Sequence, residues 1–345
     1  MFKLNLRRFD DPVVLSGIAP ETLNVQTTLM NGQSPYTNDL SPEMKTFYDK
    51  ALLKFAKPNL VHDQFAQKRN IPKNGGKTIE FRRYSQLPKA LDPLVEGVTP
   101  DGQNLNVTTV SATVDQYGGY ITLSDVLLLT AIDNNLMEAI ELLGDQAGRT
   151  LDTITREVLC SGTNVIYAGG AQGRTAITTA NKLSVDDIKK AVRELKVGLA
   201  KKINGYYVAI VHPDCVYDLE NDDEWINASQ YAGSTQIFEG EIGKLYGVRF
   251  VESTEAKIWA EAGASDISVY ATLVMGANAY GTTNVEGGGL QSIVKQLGSG
   301  GTADPLNQRA TAGWKAIKTA EILYDDYLVR IESASTYSSS EAEGN

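Results

Sequence analysis

The feature that most constrains this chain is a pair of alternating stretches separated by a run of chain breakers. Lys77-Thr78-Ile79-Glu80-Phe81-Arg82-Arg83-Tyr84 sets Ile79 and Phe81 on one face and Thr78, Glu80 and Arg82 on the other, the period of a strand. Between Leu87 and Gly102 stand Pro88, Pro93, Gly97, Pro100 and the Asp101-Gly102 pair, which turn the chain without letting an element form. A return strand follows through Leu105, Val107, Val110, Ala112 and Val114 to Tyr117, Ile121 and Leu123, with slips of phase at Thr108-Thr109 and before Tyr117. Such slips predict β-bulges, which bend and twist a ribbon. An isolated two-stranded ribbon is marginal in water, so an arm over Lys77 to Asp125 needs a surface to lie on, either its own body or a neighbouring subunit.

At 345 residues the chain exceeds one compact core, and two domains or a body with extensions are expected. The net charge of −10 argues against a sequence-wide affinity for nucleic acid. The charge is uneven, however: Lys57 to Lys89 holds eight basic residues against two acidic, and Ala90 to Cys160 eleven acidic against two basic. These blocks lack the clustered aromatics of a base-stacking platform and read as complementary protein surfaces. No apolar run has the length of a signal peptide or membrane span, which places synthesis in a cytosol, and Cys160 and Cys215 show no disulfide framework.

Residues 1–40 carry no sustained periodicity and read as a flexible tail. Ser41 and Pro42 open a helix through Met44, Phe47, Tyr48, Ala51, Leu52 and Phe55 that Pro58 stops, and Asn59 to Gly76 reads as a polar connector. Ser124 caps a short helix over Val126 to Thr130. From Asp133 to about Cys160, Leu136, Ile140, Leu143, Ala147, Leu151, Ile154 and Val158 form the stripe of a helix about 40 Å long. A helix capped by Ser184 that carries Ile188, Ala191, Val192, Leu195 and Leu199 and ends before Asn204-Gly205, a buried strand over Tyr206 to Val211, a short helix over Asp214 to Glu220 and strands over Lys244 to Val251 and Ser268 to Met275 give an α/β body. A hairpin returns through Trp314 to Glu332, and Ser333 to Asn345 reads as low-complexity tail.

Chemistry finds little purchase. A His base is restricted to His62 or His212, and no Gly-x-Ser-x-Gly elbow is present. Gly75-Gly76-Lys77-Thr78 lacks the first glycine of a P-loop, since position 71 is Ile71, and Gly169-Gly170-Ala171-Gln172-Gly173 opens no helix. His212 and Cys215 have the spacing of metal ligands without further ligands near, so a capped strand end is the reading. No catalytic residue, cofactor or metal is expected, and an α/β enzyme stands as the alternative from another class.

The order of elements, with particular words, resembles the major capsid proteins of tailed double-stranded-DNA bacteriophages, the HK97-type fold. Ser41-Pro42-Glu43-Met44-Lys45, Asn70 through Arg82, Glu96 through Gly102 and Gly148-Arg149-Thr150-Leu151-Asp152 are similar to the coat-protein branch named for the podophage N four. Met1 to Phe9 is similar to the start of capsid proteins from phages of Gram-positive hosts. The resemblance implies an α+β chain with an N-arm (41–76), an extended β-hairpin loop (77–125), a peripheral domain carrying a spine helix (126–184), an inserted axial domain (185–285) and a peripheral return hairpin (286–332). It implies that the loop lies on the adjacent subunit, so that Ile79, Phe81, Arg82, Arg83, Leu87, Leu94, Val95 and Glu96 become interface residues. It further implies hexamers and pentamers of an icosahedral head that encloses DNA without reading its sequence, built in the host cytoplasm. A portal and a separate scaffolding protein are implied as partners, and an encapsulin-type compartment is the nearest rival within the fold. No Lys-to-Asn cross-link is expected.

Overall fold

The computed structural model describes residues 23–24, 52, 60–84, 87–91, 93, 96–97, 99, 102–130, 135–226, 243–300, 304–338 and 344–345. The expected tail over 1–40 and the helix from Ser41 to Pro58 therefore fall outside the described residues, apart from Leu23, Asn24 and Leu52. The chain divides into two units: residues 1–56, 118–147 and 290–315 form the first, and residues 57–117, 148–289 and 316–345 the second.

In the first unit, strand β1 (Leu23–Asn24) pairs in parallel with the end of β5 (Asp115–Ser124). Helix α1 (Asp125–Thr130) follows, its Leu127 N–H donating to the Ser124 hydroxyl at 3.2 Å, which is the cap expected from sequence. Helix α2 (Asn135–Cys160) begins here and continues into the second unit. Strand β13 (Gln291–Lys295) lies antiparallel to the first part of β14 (Arg309–Ile322). The β5 and β14 backbones approach closely because glycines stand at the contact: a Cβ on Gly118 would fall 2.6 Å from the Trp314 carbonyl, and one on Gly313 would fall 3.0 Å from that of Gly119. Trp314 donates its indole N–H to Gln146 Oε1 at 3.0 Å.

The second unit holds a seven-stranded sheet. Its members are β6 (Val165–Tyr167), β7 (Tyr207–Val211), β8 (Lys244–Leu245), β9 (Val248–Glu252), β10 (Ile258–Trp259), β11 (Val269–Met275) and β15 (Leu328–Ser333), in the order β6-β15-β11-β7-β9-β8 with β10 on β11. Strands β7 and β11 are buried at every position, which explains why they read as continuous apolar runs rather than alternations. Helix α3 (Val185–Val197) and helix α4 (Pro213–Glu220) share a core with one set of sheet side chains, including Tyr207, Ala209 and Val211. The alternate set, Val208 and Ile210 with Leu273 and Met275, packs with Leu159 at the end of α2. Ser184 caps α3 by accepting from the Asp187 N–H, as its sequence position predicts.

Several boundaries differ from the sequence reading. The helix α3 stops at Val197, and the expected strand over 244–251 is two strands folded about Tyr246-Gly247, both at positive φ. The sheet that holds the segment 185–285 is completed by β6 and β15, which lie outside those bounds. The connector over Asn59 to Gly76 contains a strand, β2 (Gln67–Ile71), paired in parallel with β12 (Tyr280–Val285), itself antiparallel to the second part of β14. Its polar side chains hid it, because the pairing uses only backbone groups and Lys68, Arg69 and Asn70 are all exposed, with no apolar alternation. The expected C-terminal tail is also held over 333–338: Ser333 belongs to β15, Ala334 and Ser338 are buried, and the Thr336 N–H donates to Asp218 Oδ2 at 2.8 Å.

Candidate subunit-interaction surface

The arm forms as its alternation requires. Among the described residues strand β3 (Thr78–Tyr84) and strand β4 (Val107–Thr113) pair only with each other, antiparallel, from Thr78 opposite Thr113 to Tyr84 opposite Val107. At the root the Val114 N–H donates to the Lys77 carbonyl at 2.9 Å. One face of the root is packed on its own unit: Phe81 is 3 % exposed and forms a cluster with Ala112 and Leu323, flanked by Ile79, Val110 and Tyr324. Gly281 makes room for that ring, since a Cβ there would lie 2.8 Å from two of its carbons.

Beyond the root the apolar side chains lack such cover among the described residues. Tyr84, Leu87 and Val107 are half exposed, and Leu91 is 79 % and Leu105 68 % exposed. Exposed apolar groups gathered on one extended element mark an interaction surface rather than the scatter normal for a protein exterior.

The residues expected at an interface thus divide. Arg82, Leu87 and Glu96 are exposed, whereas Ile79 and Arg83 are half-buried at the root. Phe81 is covered by its own chain, in the cluster with Ala112 and Leu323. Leu94 and Val95 lie outside the described residues. Tyr84, Leu91, Leu105 and Val107 were not among the expected interface residues; the alternation that defines the strands carried Tyr84, Leu105 and Val107, but alternation names a face without saying what covers it.

The two histidines are structural. His62 is fully buried, with its backbone N–H donating to Asp152 Oδ1 at 2.7 Å and its Nδ1 2.6 Å from Asp152 Oδ2. The Tyr280 hydroxyl donates to the His62 carbonyl, and burial raises that phenol above its ordinary range. Lys318 reaches Asp63 at 3.1 Å and donates to the Leu151 carbonyl; burial lowers its ammonium pKa, against the opposing pull of Asp63. This cluster ties β12, β14 and the α2 segment beyond residue 148 to the stretch leading into the arm, and it offers no nucleophile. His212 caps α4, accepting from the Asp214 N–H at 3.2 Å, while Cys215 is fully buried and burial pushes its thiol up. Among the described residues no group of three His, Cys, Asp or Glu side chains could hold a metal.

A second buried network lies in the seven-stranded sheet. Glu332 is fully buried and receives two bonds from Arg174, each 2.8 Å, and one from Arg330 at 2.8 Å. The Arg174 guanidinium also stacks 3.7 Å from the Trp259 ring centroid, and its hydrogen bonds to Glu332 raise its pKa against the effect of burial. This charge cluster ties β15 to the segment around Arg174 and to Trp259 of β10. Among the described residues no helix is long and apolar enough to cross a membrane.

The described residues form a mixed helix and strand, α+β body that carries a two-stranded ribbon. The chain is similar in fold to the capsid of Ralstonia phage GP4, with a TM-score of 0.63 at 15 % identity over 97 % of this chain and 100 % of that one. It is similar too to the capsid of cyanophage Pam1, with a TM-score of 0.64 at 14 % identity over 91 % and 100 %. A virus-like particle from Pyrococcus furiosus is more distant, at a TM-score of 0.50 and 10 % identity over 84 % and 99 %. No curated protein matches the chain in sequence. The phage capsid protein family matches residues 107–320, and the chain belongs to it. It is a structural, non-enzymatic major capsid protein of a phage head that associates with itself in the virion shell.

Proposed function

We propose that this chain is an HK97-type shell subunit of the N-four-like branch, forming the hexamers and pentamers of an icosahedral head. The observation that carries the reading is the arm: a ribbon that, among the described residues, pairs with nothing but itself, with Leu91 and Leu105 exposed and Leu87 and Val107 half exposed beyond an anchored root. On this reading the distal arm lies across the adjacent subunit of the same capsomer, a heterologous contact that closes into rings. Assembly occurs in the host cytoplasm with a separate scaffolding protein and a portal, and the shell encloses double-stranded DNA without reading its sequence. The net charge of −10 fits a wall from which the genome can be released.

The test is the variant Leu87→Asp with Leu91→Asp, read by sedimentation and negative-stain imaging. Both positions are exposed in the single chain, so the variant is expected to fold as the parent does and to lose shell formation, because assembly would bury two unpaired carboxylates. Shells of normal yield from this variant would remove the arm from the account.

A further inference from the structure

The root of the arm carries a cleft with the chemistry of an anion site. Gln67, Arg69, Phe81, Arg82, Arg83 and Tyr324 line an opening of about 150 Å3 within the second unit. Arg69 stands over the Phe81 ring at 5.9 Å from its centroid, and Arg83 stands over Tyr324 at 5.2 Å. A ring beneath a guanidinium engages its face and leaves its in-plane N–H donors available for a carboxylate. Among the described residues neither Arg69 nor Arg83 has an ion-pair partner. Two like charges in one cleft repel, and an incoming anion relieves that repulsion while forming charge-assisted hydrogen bonds.

We propose that this cleft receives carboxylate side chains from the exposed face of helix α2 in a second copy of this chain. Glu138, Glu141 and Asp145 recur at i, i+3 and i+7, which places them on one side of that helix, and all three are exposed. Glu138 and Glu141 have no ion-pair partner among the described residues. Leu142, 65 % exposed, stands among them, so the stripe is acidic and apolar together. The arm has the matching mixture, arginines at its root and bare leucines beyond. Neither surface complements itself, and each complements the other, which is the condition for a ring of identical copies. The inference rests on the reading that the arm contacts a neighbouring subunit.

The experiment compares three full-length chains expressed with their scaffolding and portal genes: Arg69→Glu with Arg83→Glu, the same pair combined with Glu138→Lys and Glu141→Lys, and Leu87→Asp with Leu91→Asp. Circular dichroism and melting establish folding, and Arg69→Gln with Arg83→Gln replaces the reversed pair should the latter fail to fold. The expected result is a fall in sedimenting shells of about tenfold or more for the reversed arginines, with recovery in the fourfold variant. Normal shells from the reversed arginines, alongside failure of the leucine variant, would overturn the cleft's role and leave the arm's role standing. Lost assembly without recovery would overturn α2 as the occupant, and loss of bound nucleic acid in the same chain would assign the cleft to phosphate instead. Normal shells from the leucine variant would overturn the underlying reading itself.

Discussion

The two ends of one ribbon make the informative comparison in this molecule. At the root, Phe81 and Val110 face each other across β3 and β4 in the same ladder that continues to Tyr84 and Val107. Phe81 is 3 % exposed against Leu323 and the bare backbone of Gly281, whereas Leu91 and Leu105, beyond the paired segment, stand in solvent. Backbone pairing is the same along β3 and β4, so what separates the ends is side-chain cover. The root is covered by its own unit, whereas the distal apolar side chains lack such cover among the described residues. Exposed apolar groups on an element that cannot stand alone in water are what the proposed contact with a neighbouring subunit requires.

Substitution at each end should separate the two roles. Phe81→Ala removes a buried ring from a cluster closed by Leu323 and is expected to destabilise the subunit by about 3–5 kcal/mol in denaturant unfolding of disassembled chain. Leu91→Ala, at an exposed position, should change the same quantity by no more than about 0.5 kcal/mol while weakening assembly. Equal destabilisation at both sites would mean that the chain covers its own arm throughout, and the comparison would fail.

A smaller effect tests whether the body behaves as an independently stable unit. Burial raises the Glu157 carboxyl, but hydrogen bonds from Lys257 and Arg156 outweigh it and the net shift is downward from 4.5. A depressed carboxylate adds stability above its unfolded value and loses it as pH falls through the folded value. The side chain is half exposed, so the contribution is well under about 1 kcal/mol. Wild type should melt slightly above Glu157→Gln at about pH 6, and the gap should close by about pH 3. A gap that persists in acid would point to packing rather than charge at this position.

Much of the body was legible because each signal was local. Ser184 before Asp187 reads as a cap, the stripe from Leu136 to Val158 reads as one long helix, and Val269 to Met275 reads as a buried strand. Strand β2 was illegible because Gln67 to Ile71 is polar and pairs with β12, more than two hundred residues away, through backbone alone. The serine-rich segment after Glu332 read as a tail, yet its hydroxyls and N–H groups find partners such as Asp218, which composition does not reveal. The interface face fared in the same way. Alternation placed Ile79 and Phe81 together, and the identical pattern serves a ring covered by Leu323 or by another subunit. Arg82, Leu87 and Glu96 are exposed as a surface role requires, and the missing distinction between root and tip lay in the position of Gly281, far along the chain.

The most direct measurement of the central claim is sedimentation velocity of the purified wild-type chain, alone and expressed with its neighbouring genes, combined with negative-stain imaging. The account predicts rings, sheets or megadalton shells whose diameter separates a phage head from a small compartment. A stable, compact species of 37.4 kDa under every condition would contradict it.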